Sequence, residues 1–143
     1  MQQTYIVDAS VALKWYIDEP KGTEDARRLL RWGLQREVYL IAPALLAYEL
    51  PNSLLKAVKD QRLPESDLAL SLRKFHNLAI AFFLYEADSA QWIMNLAREH
   101  RLSFYDAAYL ALAQAREAVL ATGDIDLAEA AEDLGVRVFR IGI

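Results

Sequence analysis

The chain has no cysteine. That excludes a disulfide framework, a thiolate nucleophile and any zinc site built on sulfur. Histidine is almost as scarce: His76 and His100 are the only two, and both lie in charged stretches that read as helix. Acid–base chemistry resting on paired imidazoles therefore has little to draw on. With five glycines and no G-x-G-x-x-G run, a dinucleotide crevice is excluded. Long apolar runs are also missing. Stretches such as 41–46 are far too short to cross a bilayer, and residues 1–4 lack the positive start of a signal peptide. The expectation is a cytoplasmic protein with no membrane partner. Net positive charge is absent as well. At −4 the chain is unsuited to holding nucleic acid by charge alone. An enzyme that reaches nucleic acid through metal ions and a local basic strip stays open.

What is present is apolar content. At 55% hydrophobic over 143 residues, the chain can bury a sizeable core, and a single domain over residues 1–143 is expected. Continuous apolar runs read as strands at 5–8, 38–41, 80–84, 118–121 and 136–141. Helices are expected over 10–17, ended by Pro20 and Gly22, and over 24–36 with Thr23 as cap. Pro43 should open a long helix to about residue 61, and Pro64 and Ser66 another to about residue 77. Further helices follow at 88–101, at 104–115 with Ser103 as cap, and at 126–134, stopped by Gly135. Pro51 falls inside the long helix, where it removes one hydrogen bond. Strands that alternate with helices and are apolar throughout point to a parallel sheet covered on both faces.

Ligands of open parallel sheets bind beyond the carboxyl ends of the strands. Asp8 stands at one such end, and Asp124 just past another, in the loop Thr122-Gly123-Asp124. Taken singly, Asp8, Asp124 and Asp126 are equally well explained as helix caps. Ser103-Phe104-Tyr105-Asp106 matches a capping box, which accounts for Asp106 without any function. Glu49 resists such an account. It lies mid-helix among apolar neighbours, where a charge is costly unless paired or metal-bound. Asn52, one turn later on the same face, suggests a polar stripe. As a set, Asp8, Glu49, Asp106 and Asp124 offer the oxygen ligands that hard divalent cations prefer, with Ser10, Asn52, Ser103, Thr122 and Asp126 close by in sequence.

These residues resemble the PIN domain family, and more narrowly its VapC-like toxin ribonucleases. VDASVALKW at 7–15 is similar to the family's opening motif, with the first acid at Asp8. Glu49-Leu50-Pro51-Asn52 resembles its ExxN motif, although Pro51 departs from the pattern. SFYDAAYLALA at 103–113 resembles the third motif, with Asp106. LATGD at 120–124 resembles the L-x-T-x-D motif, with Thr122 and Asp124. The resemblance covers nearly the whole chain, with the motifs in the family's order. It implies a three-layer α/β/α sandwich whose parallel sheet has about five strands in the order 3-2-1-4-5, placing the exits of the first and fourth strands side by side.

The resemblance also implies a metal-dependent endoribonuclease. Asp8, Glu49, Asp106 and Asp124 would hold one or two Mg²⁺ or Mn²⁺ ions. Asp8 and Asp106 are the expected direct ligands, with Ser10, Asn52, Ser103, Thr122 and Asp126 in support. Water activated at the metal would attack the phosphodiester, leaving 5′-phosphate and 3′-hydroxyl ends. The implied partners are an RNA substrate, a protein antitoxin and a second copy of the chain. Arg27, Arg28, Arg31, Lys56, Lys59 and Arg62 are candidate phosphate contacts, and Trp15, Tyr16, Trp32 and Trp92 candidate stacking partners or core residues. Two alternatives share the scaffold: a catalytically silent interaction module and a housekeeping RNA-processing nuclease. A phosphatase of the haloacid-dehalogenase kind wants a second Asp where this chain has Ser10.

Overall fold

The computed structural model describes residues 2–143. Five strands form one parallel sheet: β1 (Gln3–Val7), β2 (Val38–Pro43), β3 (Ile80–Phe83), β4 (Val119–Thr122) and β5 (Val138–Arg140). Their order is β3-β2-β1-β4-β5, as expected. β1 is the switch point. It pairs with β2 on one side, Ile6 opposite Ile41, and with β4 on the other, Val7 opposite Ala121. The carboxyl ends of β1 and β4 are therefore adjacent, which is where the crevice of such a sheet opens.

Successive strand side chains face opposite ways, and this explains the unbroken apolar runs. Val7, Leu40, Ala42 and Ala121 face one layer, packed with α1 (Ala9–Leu13), α2 (Thr23–Leu34), α3 (Leu46–Lys59) and α4 (Leu68–His76). Ile6, Ile41 and Leu120 face the other, packed with α6 (Phe104–Arg116) and α7 (Ile125–Asp133). α5 (Ala90–His100) lies against α6 through Ile93, Leu96, Ala107 and Ala111. Each fully buried leucine stabilises the fold by about 1.5–3 kcal/mol. Leu50, beside Glu49 on α3, is one of these, so truncating it to alanine costs about 2–5 kcal/mol and disturbs the helix that carries the acid.

Several local expectations are corrected. α1 stops at Leu13, and the chain continues in i→i+3 turns from Lys14 to Tyr16. The tighter winding lets Trp15 sink into the core, its indole N–H donating to the Ala26 carbonyl at 2.9 Å. Thr23 does not cap α2. Gly22 stands at that position with φ +85°, and the Thr23 hydroxyl instead donates to the Glu19 carbonyl and accepts from the Glu19 N–H. An alanine at Gly22 would be strained by that φ and would also run into the backbone of Gly142 at 2.8 Å. Pro43 ends β2 rather than opening a helix, and α3 begins three residues later. α4 and α5 are each preceded by a single 3₁₀ turn, at Glu65–Asp67 and Ala87–Ser89. β4 extends through Thr122, so the hydroxyl expected in the exit loop lies on the strand. β5 is held to three residues. Among the described residues no helix is long and apolar enough to cross a membrane.

Candidate active site

Chain direction brings the four acids to one end of the sheet. Asp8 directly follows β1, and Asp124 follows Thr122 at the end of β4 by two residues. α3 leaves the carboxyl end of β2, so Glu49 in its first turn stays at that end. α6 runs back towards the start of β4, so its own start, with Asp106, lies at the carboxyl edge too.

Asp8 is the most constrained of the four. It is 7% exposed and caps α1, one carboxylate oxygen accepting from the Val11 N–H at 3.0 Å. The same oxygen accepts from the Ser10 hydroxyl at 2.5 Å, and the other oxygen accepts from the Thr122 hydroxyl. Ser10 reaches across to the β4 exit, and Thr122 ends β4 itself. Gly123 N–H donates to Ser10 Oγ and Asp124 N–H to Thr122 Oγ1, each at 2.9 Å. A carboxylate has about four lone-pair sites. Three are occupied here, and Oδ2 keeps one to offer a ligand. Gly123 permits this closure, since a Cβ there would sit 3.1 Å from Ser10 Oγ and 3.0 Å from the Ile141 carbonyl.

Asp124 caps α7, accepting from Asp126 N–H at 2.9 Å and Leu127 N–H at 3.2 Å through one oxygen. Asp106 is not a cap. Ser103 holds that role, its hydroxyl accepting from Asp106 N–H at 3.0 Å, and the Asp106 carboxylate is half-buried. Glu49 is half-buried as well. Its Oε1 accepts from the Tyr109 hydroxyl at 2.6 Å. Tyr109 escaped the sequence reading because it sits in an apolar run. Its spacing, three residues past Asp106 on the same helical face, was the available signal.

The acids feel one another. Burial pushes the Asp8 carboxyl up, and the charge of Asp124 adds to the shift, against the hydrogen bonds from Ser10, Thr122 and Val11. Burial also raises Glu49, with help from the charges of Asp8 and Asp106 and against the Tyr109 hydrogen bond. Asp106 is raised by burial, then by Asp124 and Asp126, with Ser103 opposing. Asp126 thus acts on Asp106 from an exposed position, and its backbone supports Asp124. Asn52 is exposed, and among the described residues no hydrogen bond ties it to the acids. None of the salt bridges among the described residues involves any of the four. Yet no three acidic or histidine side chains among those residues close on a common point at coordinating distance. The set is an open ring of like charges, the arrangement that repulsion favours.

The other candidates divide. Arg27 is spent on Asp18 and the carbonyls of Lys14 and Ile17, Arg28 on Asp25 and Arg62 on Glu19. Trp15 is core, and Trp32 stacks on Phe139. Trp92 is 38% exposed and lines an apolar groove of about 500 Å³ with Leu45, Tyr48, Leu84, Tyr85 and Tyr105. None of the four acids lines that groove, although Tyr48 and Tyr105 are the chain neighbours of Glu49 and Asp106.

Comparison with known proteins agrees with this architecture. The PIN domain model matches residues 5–133. Ribonuclease VapC1 of Mycobacterium tuberculosis is 31% identical over 125 residues, covering 87% of this chain and 89% of that protein. The crystal structure of PAE2754 from Pyrobaculum aerophilum aligns with TM-score 0.68 and 25% identity, over 95% of this chain and 83% of that one. VapBC2 from Rickettsia felis, solved bound to a DNA fragment from its promoter, aligns with TM-score 0.69 and 13% identity, over 97% and 99%. That last likeness is one of fold alone. With the family model spanning most of its length and its sheet ordered β3-β2-β1-β4-β5, the chain belongs to the PIN domain family.

Proposed function

We propose that this protein is a metal-dependent endoribonuclease, the toxin of a toxin–antitoxin pair. The observation that carries the reading is the ring of Asp8, Glu49, Asp106 and Asp124 at the switch point, with no basic partner in a salt bridge among the described residues. The likeness to a protein named as a ribonuclease supports it.

The donor set fits Mg²⁺ or Mn²⁺. Every candidate ligand atom is a carboxylate oxygen, and hard cations of this kind take oxygen ligands and keep several waters. A few direct carboxylates suffice, so an open ring can serve. Asp8, through its remaining Oδ2 site, and Asp106 would be direct ligands. Glu49 and Asp124 would hold a second ion or the waters of the first. A bound cation supplies a more acidic water and shields charge growing on the phosphoryl oxygens.

The chain's own residues do the rest. Ser10 and Thr122 hold the Asp8 carboxylate at a fixed orientation and tie it to the β4 exit. Thr122 is fully buried, so its hydroxyl has no competing solvent partner. The acids exclude a second anion from the ring and leave room for a phosphodiester only when their charge is offset. Attack by water at phosphorus breaks the bond to O3′, whose oxygen takes a proton, giving a 5′-phosphate and a 3′-hydroxyl. The assay is cleavage of a single-stranded RNA with Mg²⁺, Mn²⁺ or EDTA, followed by analysis of the ends. A 2′,3′-cyclic phosphate, or full activity in EDTA, overturns the mechanism.

A protein antitoxin and a second copy of the chain complete the proposal. The apolar groove beside α3, α5 and α6 exposes Tyr48, Leu84 and Tyr105 at 79%, 78% and 62%. Contiguous apolar surface of that kind usually marks a contact, and we assign it to the homodimer. Trp92→Glu should then convert the dimer to a monomer in light scattering, and a wild type monomeric at micromolar concentration removes the assignment. A silent interaction module is the second reading, favoured by the finding that no three acids close on one point among the described residues. Mn²⁺ calorimetry separates the two, because the module takes up no ion.

A further inference from the structure

Tyr109 is the one polar residue among the largest fully buried side chains. Its ring packs in the core with Ile6, Ile41, Leu110 and Leu120, which sets where the phenolic oxygen lies. Among the described residues that hydroxyl has one partner, Glu49 Oε1, at 2.6 Å and sixty positions away in sequence. A tyrosine buried only for packing would serve as well as phenylalanine, and the hydroxyl would then be a burden.

Glu49 needs such a support. Its side chain is long and flexible, it stands in the first turn of α3, and the Asp8 and Asp106 charges push against it. No salt bridge among the described residues holds it. Tyr109, in contrast, lies on α6 one turn beyond Asp106. We propose that Tyr109 is the positioning residue for Glu49, its hydroxyl fixing Oε1 so that Oε2 faces the ring of acids and the α3 acid is set in place by the α6 helix. This rests on the reading of that ring as a cation site and adds a residue to it.

The test uses the purified 143-residue chain and Mn²⁺. Tyr109→Phe keeps the ring and removes the oxygen. Its melting and near-ultraviolet circular dichroism should show an intact fold. Mn²⁺ affinity by calorimetry should fall about 10–100-fold, the usual effect of removing a group that orients a ligand. The kcat on RNA should fall with it while KM stays within about twofold. Glu49→Gln should give a loss of similar size, and the double variant no further loss, because the two act as one unit. Should Tyr109→Phe fold poorly, 3-fluorotyrosine at position 109 leaves the packing alone, and its fluorine resonance should shift on adding Mg²⁺. Wild-type Mn²⁺ binding that Tyr109→Phe leaves unchanged, additive losses in the double variant, or a silent fluorine signal overturns the positioning role alone. A wild type that takes up no Mn²⁺ overturns the cation site and this role together.

Discussion

Replacing Asp8 separates what its charge does from what its hydrogen bonds do. Asparagine keeps the cap, because its amide oxygen still accepts from Val11 N–H, and Asn caps as well as Asp. Its NH₂ then donates to Thr122 Oγ1, which already accepts from Asp124 N–H, so the Thr122 O–H loses its carboxylate acceptor in the asparagine and alanine variants alike. Alanine loses the cap as well, at about 1 kcal/mol. Asp8→Ala should therefore be less stable than Asp8→Asn by about 1 kcal/mol, a gap of about 3 °C in Tm for a chain of this length.

Charge works in the other direction. Because burial and Asp124 raise the Asp8 carboxyl, the ionised form is disfavoured by the fold. In EDTA, Asp8→Asn should therefore gain on wild type in Tm between pH 4 and pH 7.5. Adding Mn²⁺ at pH 7.5 should reverse that gain. A free ion concentration a hundredfold above Kd stabilises the wild type by about 2.7 kcal/mol, and the asparagine variant gains little. Thermal melts of the three proteins at both pH values, with and without Mn²⁺, make the assay, with RNA cleavage measured alongside. An asparagine variant that melts as low as the alanine variant would refute the hydrogen-bond account. Undiminished cleavage by folded Asp8→Asn would refute the metal site.

Three further outcomes follow from the same contacts. Gly123→Ala should lose about 1–3 kcal/mol, since its Cβ would press on Ser10 Oγ and the Ile141 carbonyl. Cleavage should drop with it, and a neutral melt would show that the loop can yield. Ser103→Ala removes the α6 cap and should cost about 1 kcal/mol, read as a loss of about 2–4 °C in Tm. Finally, Asp8, Glu49 and Asp106 all have raised folded values. The fold then holds protons that the unfolded chain has released, so their contribution is fullest below about pH 4 and lost as pH rises through the raised values. The Tm advantage of Glu49→Gln over wild type in EDTA should accordingly grow from about pH 5 to pH 8, and a constant difference would contradict the shift.

The parallel sheet was legible because a sheet buried on both faces writes itself as unbroken apolar runs, whereas its strand order and the family came only from the resemblance carried by the four motifs. Element ends were less legible. Pro43 looks like a helix opener by local preference, yet it pairs in register with Phe83 at the end of β2. Thr23 looks like a cap, yet the Glu19 backbone claims its hydroxyl. At Pro43 a strand pairing overrides the local preference, and at Thr23 a competing turn to Glu19, four residues back, does so. The spacing of Tyr109 from Asp106 was legible, but its bond to Glu49 joins residues sixty positions apart, and nothing near either in sequence points to the other.

At two positions a cap leaves room for a role in the proposed site. Asp8 and Asp124 each cap a helix through one oxygen; the other oxygen of Asp8 accepts from Thr122 and keeps one lone-pair site, and the cap bonds of Asp124 do not use its second oxygen. Capping fixes the side chain at a strand exit without filling every acceptor site, which is the rigidity a ligand site requires. Asp106 and Glu49 cannot be fixed in that way, because neither is a cap residue. Glu49 is held by a phenol from another layer, and Asp106 has only Ser103 beneath it. The ring therefore has a rigid half along β1 and β4 and a half carried by α3 and α6. A contact on the apolar groove, whose walls include Tyr48 and Tyr105, would act on that second half first.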